Sequence, residues 1–146
     1  PVRLRDVKEI LPFANTLVTW ELTGRDLLRI AEHNAQAAEG HDGGLQMSGL
    51  TYGWRRVGDH IEVEDLRVRG RPVKLDRTYK AAAADYVCLQ AKEYFGCEPP
   101  PTTYVGVGVT DAVAEAIRKA GRIDARPEAR VRELGGEAPR RRDRSH

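Results

Sequence analysis

The sequence predicts an α+β fold: a single domain of mixed β-sheet with flanking helices. Three observations carry this. Apolar residues alternate with polar ones at Val18, Trp20 and Leu22, the period of a half-buried strand. Elsewhere, as at Leu27, Ile30, Ala31 and Asn34, they recur at helical spacing. Finally, the two kinds of segment are interleaved with hairpin-like turns instead of alternating as regular βα units. A chain of 146 residues, 40% hydrophobic and 32% charged, is sized for one such core.

Taken in order, residues 5–11 read as a short helix, with Val7, Ile10 and Leu11 at helical spacing. Pro12 biases Leu11 away from helical backbone and ends it. Residues 16–23, "TLVTWELT", are a strand with one buried face. Thr23 is a good N-cap, and Asp26 three residues on makes an Asp variant of the capping box, opening a helix that Gly40 closes. A strand is expected from near Leu45, in which Gly49 and Gly53 signal a bulge or a close backbone approach. Another is expected at 60–69, followed by a turn at Gly70-Arg71-Pro72 and a short strand. Residues 78–87, "TYKAAAADYV", fit a buried strand running into a helix or loop, although four alanines alone favour helix. Three prolines make 97–103 a stiff loop. A short strand at 103–110 then leads into a helix at 110–121, capped by Thr110, with Asp111 at its positive end and Arg118 and Lys119 at its negative end. Residues 1–135 form the expected domain, and the charged run 136–146 reads as a disordered tail.

Composition narrows the function classes. A net charge of +2, partly held in the tail "PRRRDRSH", is too weak for a nucleic-acid surface. No run approaches the roughly 18 apolar residues of a membrane helix. The start at Pro1, with no Met and no signal sequence, reads as a piece of a longer protein. His33, His41 and His60 are scattered, so no metal set converges, and "GVGVTD" (106–111) lacks the residues of a phosphate loop. Cys88 and Cys97 fit no metal spacing; in an exported protein they could close a short disulfide loop. No catalytic residues are expected in the chain. What remains is the connection "LPFANTLV" (11–18). Phe13 offers a flat face beside the Asn15 amide, which suits a planar hydrogen-bonding ligand or, equally, an ordinary turn.

The order of several segments adds a resemblance. "DVKEILPFANTLVTWELTGRDLLRIAE" is similar to the start of the C-terminal domain of the 5′-nucleotidase family, which includes UDP-sugar hydrolases and cyclic-nucleotide phosphodiesterases. "GGLQMSGLTYGW" resembles the family's Gln-x-Ser-Gly strand, "VRGRPVKLDRTYKAAAADYV" its hairpin and Thr-Tyr strand, and "VTDAVAEAIRKAGRIDARPEARV" its last helix and closing strand. The resemblance covers about residues 3–134.

It implies the nucleoside-recognition domain of a metal-dependent phosphoesterase acting outside the cytoplasm. The two divalent metal ions and the chemistry would lie in a separate N-terminal metallophosphoesterase domain, which is the implied partner together with a nucleoside or nucleotide. No cofactor is expected in this chain, and neither a membrane nor a nucleic acid is expected as a partner. By position, Phe13 and Tyr86 match the two rings that sandwich the base, and Asn15 matches the amide that binds substrate. Asp85 stands in the family's Asn-Phe pair, here Asp85-Tyr86. One departure is plain: the family's Gly-Gly-Asp-Gly-Tyr loop is replaced by "VCLQAKEYFG", which reads as helix, with Tyr94 matching the loop Tyr and Lys92 or Glu93 in place of the lost Asp. The alternative that this departure favours is a non-enzymatic binding module of the same fold with a remodelled pocket.

Overall fold

The computed structural model describes residues 1–40 and 44–135; the terminal segment 136–146 and His41 lie outside the described residues. The elements are α1 (Leu4–Ile10), β1 (Thr16–Thr23), α2 (Gly24–Glu39), β2 (Leu50–Val57), β3 (His60–Val68), β4 (Arg71–Pro72), β5 (Thr78–Ala84), α3 (Asp85–Leu89), α4 (Ala91–Phe95), β6 (Thr102–Gly108), α5 (Val109–Ala120) and β7 (Val131–Glu133). They build two sheets among the described residues. One has strand order β5-β1-β6, all antiparallel, and the other has order β4-β3-β2-β7, with β7 parallel to β2.

The core lies where α2 and the inner faces of the sheets meet. Val18, Trp20 and Leu22 point into it from β1, as alternation requires, and Leu27, Ile30, Ala31 and Asn34 from α2, as helical spacing requires. Tyr52, fully buried on β2, accepts a hydrogen bond from Asn34 Nδ2 at 2.9 Å, and burial pushes its phenol above the ordinary value. Trp20 packs against Phe95 with ring centres 5.7 Å apart.

The start of α2 shows why "LTG" occupies the β1–α2 junction. Thr23 Oγ1 accepts from Asp26 N at 3.2 Å, and Asp26 Oδ2 accepts from Thr23 N at 2.9 Å, a reciprocal capping box. Gly24 donates to Arg77 O at 3.0 Å, and the chain at 74–75 passes so close that a β-carbon on Gly24 would stand 2.2 Å from Lys74 O. Gly53, inside β2, is likewise crowded: a β-carbon there would meet Leu134 Cδ1 at 2.4 Å. The expected bulge also exists. It falls between Thr51 and Gly53, and the extra residue belongs to the partner β3, where Asp65 takes φ 52°.

Several expectations need correction. The second strand begins at Leu50, not near Leu45, because Gly49 adopts φ +80° and breaks the extended chain, while Arg130 Nη1 holds Met47 O at 3.1 Å. Arg71 and Pro72, expected in a turn, pair with Arg67 and Val68 as β4. The alanines of 81–84 lie in β5 and helix begins at Asp85, as read, since pairing along β1 from Leu17 to Thr23 outweighs local helix preference; but β5 is an edge strand and only partly buried, not a buried central one. Ile10 is 78% exposed although its spacing matches Val7. Gly108, not Thr110, is the N-cap of α5; the Thr110 hydroxyl instead donates to Leu11 O at 3.2 Å. Cys88 and Cys97 are unpaired, and burial raises the Cys88 thiol above its ordinary value.

Two outcomes test this account. Gly24→Ala lowers the unfolding free energy in urea by about 1–3 kcal/mol, the usual cost of forcing atoms into an occupied space. Hydrogen bonds from Thr23, offset in part by burial, and then the neighbouring Arg29, hold the Asp26 carboxyl below its ordinary value of 3.8. Its contribution is therefore present above that value and is lost as the pH falls through the lowered one. Asp26→Asn thus destabilises by about 0.3–1 kcal/mol at pH 7. The gap to wild type closes when thermal unfolding is followed down through acid pH.

Candidate functional site

Four residues singled out from sequence gather at one end of the three-stranded sheet. The β1–β5 register pairs Leu17 with Ala84, so the chain entering β1 and the chain leaving β5 run side by side at that end. Phe13 and Asn15 precede β1, and Asp85 and Tyr86 follow β5.

Asp85 is the tie between the two segments. Its Oδ2 accepts from Thr16 Oγ1 at 2.9 Å, and its Oδ1 accepts from Thr16 N at 3.2 Å and from Tyr86 N at 2.8 Å. The carboxylate therefore serves the protein's own backbone at the start of α3, where a negative charge suits the helix end. On the other flank, Asn15 O accepts from Val109 N at 2.9 Å, at the opening of α5, while Thr110 holds Leu11 O. Residues 11–16 are thus pinned from both sides, and the Asn15 amide makes no side-chain hydrogen bond among the described residues.

Both candidate rings face solvent. Phe13 is 74% exposed and Tyr86 50%. Tyr86 meets Tyr94 edge-on, with ring centres 6.4 Å apart and planes at 64°. The Tyr94 phenol is raised, first by burial and then by Tyr86 and Glu93 beside it. Phe13 stacks on no other ring among the described residues.

The segment after Tyr86 is helical, as read. α3 and α4 follow one another through Gln90, and Gly96, at φ 67°, ends α4. A side chain at Gly96 would collide with His33, whose Nε2 donates to Glu93 O at 2.6 Å. His33 is therefore a strut between α2 and α4. Lys92 is engaged by Glu98 at 2.6 Å, which raises its ammonium. A hollow of about 410 Å³ adjoins Asp85, with Gln90, Glu93, Glu98, Thr102 and Tyr104 among its walls. Sequence reading missed Thr16 and Tyr104. Thr16 follows Asn15 directly, but its partner Asp85 lies 69 residues away, so no local signal exposes the contact.

Among the described residues, no group of three or more His, Cys, Asp or Glu is placed to hold a metal ion. No helix is long and apolar enough to cross a membrane.

Among solved structures, the 5′-nucleotidase precursor of Thermus thermophilus matches with a TM-score of 0.68 at 24% identity, over 94% of this chain and 29% of its own. NAD nucleotidase from Haemophilus influenzae matches with 0.76 at 18%, over 93% and 27%. A putative 5′-nucleotidase from Staphylococcus aureus matches with 0.65 at 18%, over 90% and 30%. At these identities the likeness is one of fold, and the chain spans less than a third of each of those proteins. No curated protein sequence matches it. A family model described as 5′-nucleotidase, C-terminal domain, matches residues 1–96, the greater part of the chain, and with the two-sheet fold this means that the chain belongs to the 5′-nucleotidase C-terminal domain family.

Proposed function

We propose that this chain is the nucleoside-recognition module of a 5′-nucleotidase-type phosphoesterase and that it does not itself break the phosphoester bond. The observation that carries the reading is the pair of exposed rings, Phe13 and Tyr86, on adjacent chain ends that Asp85 ties together through Thr16. A base enters between the rings, with stacking worth about 1–3 kcal/mol per base. Asn15 supplies a directional hydrogen bond, and Asp85 acts as a positioning residue. Hydrolysis of the nucleotide to nucleoside and phosphate belongs to a separate metallophosphoesterase domain, where two divalent metal ions polarise the phosphate and activate water. The parent protein works outside the cytoplasm, a placement that rests on the family alone.

One observation favours a second reading, a binding module whose pocket serves another ligand. Helices α3 and α4 stand where a glycine-rich loop would otherwise follow the second ring.

Titration with adenosine, followed by intrinsic fluorescence, separates the two. Under the first reading binding is saturable, and Phe13→Ala weakens it about 5- to 150-fold with no change in the urea midpoint. Equal affinity in both proteins supports the second reading. Asp85→Asn weakens adenosine binding and lowers the urea midpoint together, because Thr16 N–H and Tyr86 N–H lose a charged acceptor.

A further inference from the structure

A hollow of about 570 Å³ lies where β5 faces the connection 45–49; Val87, next to Tyr86, is in its wall, but Phe13, Asn15, Asp85 and Tyr86 are not. Its walls are largely apolar: Trp20 from β1, Leu27 and Ile30 from α2, Met47, Val87 and Phe95. The reason for the space is visible in the register. Ala81 and Ala83 stand opposite Trp20 and Val18, so methyl groups occupy strand positions where larger side chains would fill the layer. The volume is in the range of small-molecule sites.

Two further features give the hollow a chemistry. Trp20 is 5% exposed, and its indole Nε1–H has no acceptor among the described residues. A buried donor without a partner is costly and calls for an acceptor. Second, Arg69 and Lys80 are the charged residues of the wall, and no carboxylate is among the wall residues. Glu21 stands opposite Lys80 in the β1–β5 ladder, which leaves Arg69 as the less compensated cation. Hydrocarbon walls, an orphaned donor and a cation suit a ligand with an apolar body and one anionic head that accepts hydrogen bonds.

We infer that this hollow is a second binding site, distinct from the nucleoside-recognition end, and that it takes a free medium-chain fatty acid. The chain lies along Leu27, Ile30, Met47 and Phe95, and the carboxylate supplies acceptors to the donors of the wall.

The test uses decanoate below its micellar concentration, with decyltrimethylammonium as the matched cation. The readout is the indole Nε1–H resonances in a ¹⁵N-labelled sample. The expected result is a saturable shift of the Trp20 resonance with little change in that of Trp54, which is not part of the wall. The cation binds about tenfold more weakly or not at all. Arg69→Gly, at a position with φ 48° that glycine accepts, weakens decanoate about 5- to 10-fold while leaving the fold intact. Ala83→Leu, which fills the hollow, abolishes the shift. The inference is overturned if the Trp20 resonance does not saturate, if both indoles move alike, if the cation binds as well as decanoate, or if the correctly folded Arg69→Gly protein binds decanoate like wild type.

Discussion

Strand β1 is hydrogen-bonded on both sides, and the rest of the site depends on that constraint. Its pairing with β5 brings Thr16 within reach of Asp85, and its pairing with β6 opposes Thr16 to Gly108, the residue that caps α5. Two helix starts therefore converge on one loop of five residues, and that loop carries Phe13 and Asn15. Shifting either register by one residue would invert every side chain of β1 and carry Trp20 out of the core. The burial of Val18, Trp20 and Leu22 is thus what aims the exposed residues ahead of them.

Much of the fold was legible because local chemistry and tertiary packing agree. The capping box at Thr23 and Asp26, the alternation in β1 and the apolar stripe of α2 each describe what their residues do in the folded chain. Legibility fails where a distant partner decides. The four alanines at 81–84 carry no strand signal of their own; the strand was read from the β-type residues before them, and its place at the edge of the sheet, beside β1, was not. Thr110 resembles a cap, yet its hydroxyl is drawn to Leu11, 99 residues away in sequence. Leu45 resembles the start of a strand, but Arg130 and the turn at Gly49 hold the chain out of the ladder.

The candidate site divides in the same way. Phe13, Asn15, Asp85 and Tyr86 were visible as residue types in a family-like order. The role of Asp85 was not, because a carboxylate that accepts from its own backbone and one that accepts from a ligand look identical in sequence. Helical backbone in 88–96 was legible from the absence of glycine between Cys88 and Phe95; its division into α3, which already contains Tyr86, and α4 was not. Their effect is to put Tyr94 edge-on to Tyr86, so one aromatic ring packs against the other.

Strand β7 gives the chain an order of assembly. It pairs in parallel with β2 across the 73 residues between Val57 and Val131, with Tyr52 N–H donating to Arg130 O and Leu134 N–H to Trp54 O. During synthesis, β2 and β3 can zip into a hairpin as soon as they emerge, while the far edge of β2 stays bare until residues 131–133 follow. A chain stalled before that point carries an open strand edge beside Trp54, the kind of surface that recruits other unfinished chains.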